Sequence, residues 1–173
     1  VLEYPAEHGV TCTREELLLV ASPVQAISFV SELLLASGVH LYYSTPSDIN
    51  YFGFLESYGA QLHPLPSDSE GIVVDSLMKK GNPKNDSVLF IWSSCTPPTN
   101  VSLSKSRRDK ILNVCKTHNI PIIDNCMLEA YNLERDAPNS LFRKEYFEGT
   151  IQIGAFPRGM AAGKWVGLIG APQ

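Results

Sequence analysis

Short apolar runs alternate along this chain with stretches whose apolar residues recur at helical spacing. "ELLLVA" (16–21) is a short continuous apolar run, which reads as a strand. In the segment that follows, Ala26, Ile27, Val30, Leu33 and Leu34 line one side of a 3.6-residue period, which predicts a helix. Ser22 stands before Pro23, a serine N-cap followed by proline at the first helical position, where its missing N–H costs nothing. Gly38 is the expected stop.

The same reading continues to the end of the chain. "VHLYY" (39–43) predicts a second strand, "SDINYFGFLESYG" a helix ending at Gly59, and "QLHPL" a third strand. "DSLMKKG" is a short helix and "SVLFIW" (87–92) a fourth strand. "SLSKSRRDKILNVCKTHN" is a helix capped by Ser102 or Ser104. "IPIID" (120–124), "TIQIGA" (150–155) and "WVGLIG" (165–170) complete the strands. Only about nine residues separate the last two, fewer than the dozen or so of a parallel crossover, so this pair is expected to be antiparallel. The fold class is therefore α/β: a mostly parallel sheet of about seven strands, one of them antiparallel, with helices on both faces. Residues 1–173 form a single domain in this reading. No internal repeat, low-complexity tract or interdomain linker interrupts it.

Composition narrows the function. Hydrophobic residues make up 44% and charged residues 18% of 173 positions, enough apolar material for one sizeable core. The net charge of −4 argues against a chain that grips phosphate backbones by itself. No run approaches the ~18 apolar residues of a membrane span, and "VLEYPAEHGV" carries no basic-then-apolar leader; the expected compartment is the cytoplasm. The chain starts without Met and stops at "GLIGAPQ" just after an apolar run, as expected of a piece of a longer product. Cys12, Cys95, Cys115 and Cys126 include no CxxC or other metal-ligand spacing, so reduced, mostly buried thiols are expected. His8, His40, His63 and His118 are scattered, with no carboxylate or cysteine at ligand spacing, and no metal site is expected. "KSRRDK" (105–110) reads as a solvated helix face, and no G-x-S-x-G nucleophile elbow occurs.

Five segments in fixed order carry a resemblance: "GVTCTREELLLVASPVQAI", "YGAQLHPLPSDSEGIVVDSL", "VLFIWSSCTPPTNVSLS", "THNIPIID" and "IGAFPRGMAAGKWVGLIGAP". Together they cover nearly the whole chain. The chain resembles the large domain of fold-type I pyridoxal-phosphate enzymes, and most of all the aminotransferase-like domain of MocR-branch GntR transcription regulators.

The resemblance implies a cofactor site at the sheet edge where strand ends and helix N-termini gather. It also implies that most of the cofactor's partners have been replaced. The Schiff-base lysine of an "SFSK"-like context corresponds to Arg158 in "AFPR". A guanidinium stays protonated and cannot attack an aldehyde; Lys164, six residues on, matches a different family position. The phosphate arginine of "PGLR" corresponds to Trp165 in "AGKW". The phosphate turn becomes "ASP", where Pro23 lacks an N–H and Ser22 remains beside a positive helix end able to hold an anion. The stacking aromatic of "DPGY" becomes Asp48 in "TPSD", with Tyr51 three residues on. The acid under the pyridine, in "IIEDD", corresponds to Asn125 in "IIDNC", or to Asp124 after a one-residue slip. Pro97 stands where an asparagine or aromatic meets the cofactor ring.

The resemblance thus implies a retained scaffold and lost chemistry, with no pyridoxal phosphate expected. The function expected is a non-catalytic effector-binding and dimerisation domain of a GntR/MocR-like bacterial regulator. Its expected partners are a second copy and a small anionic effector, with DNA reached only through a winged helix that this chain does not contain. The competing expectations are an aminotransferase-type enzyme with an atypical active site and a pseudoenzyme subunit supporting an active paralogue. Arg158 is expected to pair with Asp124 or Asp48 or to face solvent, while Trp165 narrows the old phosphate pocket.

Overall fold

The computed structural model describes residues 12–35, 38–79, 83, 86–129, 141, 148–156 and 166–172, with the side chains of 49–51 excepted. Eight strands form one sheet: β1 (Leu17–Val20), β2 (His40–Thr45), β3 (Gln61–Asp68), β4 (Gly71–Ile72), β5 (Ser87–Ile91), β6 (Ile122–Asn125), β7 (Thr150–Ala155) and β8 (Gly167–Gly170). Their spatial order is β1-β8-β7-β6-β5-β2-β3-β4. Four helices are described: α1 (Pro23–Leu34), α2 (Ile49–Glu56), α3 (Asp75–Lys79) and α4 (Lys105–His118).

The α/β class expected from the pattern is the one observed. β3, β2, β5, β6 and β7 run parallel, and β8 runs antiparallel between β7 and β1. The short connection before β8 thus has the consequence read from its length. The strand count rises from seven to eight because of β4, a two-residue strand antiparallel to the end of β3. So short a strand leaves no periodic signal to read.

Alternation along the central strands divides the core. On β5, Val88 and Phe90 pack with Ala26, Ile27 and Val30 of α1 and Phe52 and Leu55 of α2. Leu89 and Ile91 point the other way, to Leu77 of α3 and Ile111, Leu112 and Cys115 of α4. Both faces are covered, which is why β5 reads as an unbroken apolar run.

Apart from α2, which stops at Glu56, three residues before the expected Gly59, the helix ends follow the sequence signals with one exception. Ser22 caps α1, its hydroxyl accepting from the Gln25 amide at 3.2 Å. Ser104, not Ser102, caps α4 and accepts from the Arg107 amide. The exception is Gly38. α1 stops earlier, at Leu34, where the Leu35 amide donates to Ser31 O; Gly38, at φ 92°, belongs to the approach to β2. The continuing apolar letters of "LLLAS" masked that stop.

Candidate functional site

At the C-terminal ends of the parallel strands stand Ser22, Asp48, Pro97, Asp124 and Asn125. β1 leads to Ser22, β2 to Asp48, β5 to the loop 92–104, β6 ends on Asn125, and β7 ends at Ala155. Ala155 pairs with Gly167, which pairs with Val20, so the start of β8 reaches the same edge. A Cβ on Gly167 would sit 2.6 Å from Ser22 O and 2.8 Å from Pro23 N. Only glycine permits this approach of β8 to the α1 N-terminus.

The α1 N-terminus is partly closed on itself. Pro23 contributes no N–H, the Gln25 amide is held by Ser22 Oγ, and the Gln25 side chain reaches back so that its Oε1 accepts from the Ala21 amide at 2.8 Å. This reciprocal arrangement is a capping box shifted by one residue. It turns inward donors that would otherwise be offered to an anion.

Asp124 and Asn125 part company because successive strand residues face opposite sides. Asp124 is fully buried; its Oδ1 accepts from the Ser93 amide at 3.2 Å and its Oδ2 from the Leu141 amide at 2.8 Å. It is the carboxylate that ties β6 to the loop after β5. Asn125 is also fully buried, and its Oδ1 accepts from the Met127 amide at 3.3 Å. That bond fixes the amide's orientation, and among the described residues Nδ2 has no partner.

The loop after β5 is rigidly tied. The Leu103 amide donates to Ser93 O, Thr96 and Val101 form an isolated bridge, and Ser102 Oγ accepts from the Cys95 amide. Ser93 Oγ lies 3.3 Å from Cys126 Sγ. Pro97 is half-buried in this loop. Asp48 is half-buried just ahead of α2. Arg158, Trp165 and Lys164 lie outside the described residues, as does the Tyr51 side chain; so, therefore, do the expected pairing of Arg158 and the expected filling by Trp165.

Two features of this region were missed. "KSRRDK" is not a uniformly solvated face: Arg108 is buried, donating from Nε to Leu103 O at 3.1 Å and from Nη2 to Ser93 O at 2.7 Å. Neighbouring Arg107 is also largely covered and bonds Asp68 at 2.8 Å and Gly71 O at 3.0 Å. A buried guanidinium needs such acceptors, and carbonyls at loop ends carry no sequence signature. The second is Glu129. Burial pushes its carboxyl up to about 7, with Asp124 adding repulsion and Arg108 opposing both.

The topology and its layers are those of the large domain of fold-type I pyridoxal-phosphate-dependent aminotransferases. An archaeal alanine:glyoxylate aminotransferase superposes with a TM-score of 0.88 at 19% identity, over 99% of this chain and 44% of that one. The similar curated sequences are regulators. The chain is 24% identical over 165 residues to the uncharacterized HTH-type transcriptional regulator YdfD of Bacillus subtilis, covering 95% of this chain and 34% of that protein. It is 23% identical over 167 residues to the probable rhizopine catabolism regulatory protein MocR of Rhizobium meliloti, covering 96% and 33%. An aminotransferase-like domain of a MocR-type regulator fits both relationships. The chain spans about a third of the length of the curated relatives it matches. No protein-family model matches it.

Proposed function

We propose that this chain is the effector-binding and dimerisation domain of a MocR-type transcription regulator, and that its pyridoxal-phosphate chemistry has been lost. The observation that carries the reading is the pair at the end of β6. The cofactor's pyridinium needs a carboxylate beneath it. Asn125 is neutral and its oxygen is already taken, while Asp124 faces away with both oxygens on backbone amides. The self-capped α1 N-terminus supports the same reading, because the phosphate would find Pro23 and an occupied Gln25 amide there. On this reading Asn125 and the capped α1 N-terminus do not suit pyridoxal phosphate.

In this proposal a small anionic effector replaces the cofactor as ligand, its charge met by Arg158, the residue implied at the lysine position, and not by the α1 N-terminus. Two copies pair through the large domain, as closed two-fold dimers commonly do. DNA contact belongs to a winged-helix segment of the full-length protein. The net charge of −4 is in keeping with a chain that does not itself hold DNA. The aminotransferase structures favour a second reading, an enzyme domain with an atypical site. One experiment separates them: the purified protein is mixed with pyridoxal phosphate, reduced with borohydride and weighed intact. The expected result is no stoichiometric adduct; an adduct on Lys164 or any other single lysine establishes the second reading.

A further inference from the structure

At the opposite edge of the sheet, where β2 and β3 begin, two histidines that lie 23 residues apart in sequence meet. His40 Nδ1 and His63 Nε2 are 2.7 Å apart. The ring centroids are 4.9 Å apart with planes 23° from parallel. That separation is the N···N distance lengthened by one ring radius at each end, so the rings meet edge to edge. Each facing nitrogen lies close to the direction of the other's lone pair.

The backbone holds this geometry. His40 pairs with Gln61 and Tyr42 with His63, so the two imidazoles occupy diagonal positions of a parallel ladder, a separation that long side chains bridge. Tyr42 stacks on the His63 ring, centroids 4.9 Å apart. Both histidines are half-buried. Along 61–66, β3 has β2 on one side and no further strand among the described residues on the other, which leaves an approach from solvent.

We infer that His40 and His63 form a binding site for a divalent late-transition-metal ion of the zinc class, with two imidazole ligands and water completing the shell. Neutral imidazole is the common ligand for such ions. No three His, Cys, Asp or Glu side chains converge among the described residues, so water fills the remaining positions. In the neutral pair one facing nitrogen carries the shared hydrogen. Moving it to that ring's other nitrogen frees both lone pairs without net loss of a proton. With metal–nitrogen bonds of about 2.0–2.1 Å, tetrahedral coordination sets the nitrogens about 3.3 Å apart with each lone pair turned roughly 35° off the line that joins them, so both side chains rotate from where they stand.

A metal-bound imidazole donates its far N–H to a fixed acceptor. Ser87 is the direct neighbour of His40 on β5. Its hydroxyl is buried and has no partner among the described residues. A free acceptor therefore stands in the row where His40 requires one.

The test uses the full chain and zinc ion alone, by titration calorimetry, with cobalt(II) as a spectroscopic stand-in. One equivalent is expected to bind. His40→Gln and His63→Gln are each expected to weaken it at least about tenfold, the scale on which metal sites respond to changes around their ligands; His118→Gln leaves it unchanged. The cobalt spectrum is expected to show visible bands of nitrogen and oxygen ligation without the near-ultraviolet band of a thiolate. No saturable binding, binding indifferent to both glutamine variants, or a thiolate band would overturn the inference. Circular dichroism checks that the variants fold, and the wild-type cobalt spectrum decides even where one does not.

Discussion

Asp124 Oδ1 accepts the Ser93 amide across 31 residues of sequence, and Oδ2 of the same carboxylate accepts the Leu141 amide. One fully buried side chain thereby fastens three segments at the end of β6. Asp124→Ala leaves two buried amides without an acceptor. Bonds to a charged group contribute about 1.5–3 kcal/mol each, and leaving the orphaned donors buried adds to that. The expected loss is on the order of 3–5 kcal/mol, with Asp124→Asn losing less because one acceptor remains. Urea unfolding of the two variants measures this. A cost below 1 kcal/mol, in rough terms, for the alanine variant would contradict a structural role for the carboxylate.

Glu129 gives stability a defined slope with pH. Its carboxyl is raised from 4.5 to about 7 in the folded protein, chiefly by burial. Between those values the folded state holds a proton that the unfolded state has lost. This group's contribution therefore falls as pH rises from about 4.5 to about 7 and is level above that. The fall is on the order of 2 kcal/mol, given that the side chain is half-buried. Glu129→Gln is expected to remove it. The variant then gains on the wild type at pH 8 and not at pH 4, as thermal melts at the two pH values would show.

The contact between Gly167 and the α1 N-terminus is a third point of attack. A Cβ at 167 meets backbone atoms of Ser22 and Pro23 inside 3 Å, and backbone cannot swing aside. Gly167→Ala is expected to cost about 1–3 kcal/mol, as overpacking does. Ser22→Ala removes the cap and is expected to cost about 1 kcal/mol. The two residues share a contact, so the double variant is expected to depart from additivity; a full chemical-denaturation cycle tests this.

These sites mark what a one-dimensional reading can and cannot reach. Most strands and helices were legible because they bury an apolar face, and periodicity reports burial. β5 is the clear case, with Val88 and Phe90 on one side and Leu89 and Ile91 on the other. The antiparallel β8 followed from loop length alone. The bonds of Asp124 were not legible, because Ser93 and Leu141 offer backbone amides, which every residue but proline has. Arg108 was misread for the complementary reason: its acceptors are the carbonyls of Leu103 and Ser93. The His40–His63 pair needed the β2–β3 register, since nothing in spacing brings the two rings together. Asn125 and Ser22 were singled out by family resemblance alone; the structure gives only that Asn125 ends β6 and that Ser22 stands between β1 and α1.

The proposed loss of cofactor chemistry involves several positions, so restoring one of them is expected not to restore binding. The lysine position implied by the family resemblance falls on Arg158, so Arg158→Lys supplies an amine. An amine alone does not make a cofactor site, because the ligand's phosphate and ring nitrogen account for much of its binding. Here the α1 N-terminus offers Pro23 and an amide already capped by Ser22. The position that the resemblance implies for the acid under the ring is Asn125, whose oxygen is committed to Met127 and whose amide cannot stabilise a protonated pyridine. Arg158→Lys is therefore expected to form no stoichiometric borohydride-reducible adduct with pyridoxal phosphate, and adding Asn125→Asp is expected not to suffice. Intact mass after reduction, beside a catalytically competent aminotransferase as positive control, reads the outcome. A full-occupancy adduct at residue 158 in the single variant would mean that only the lysine had been lost and that the rest of the site had stayed competent.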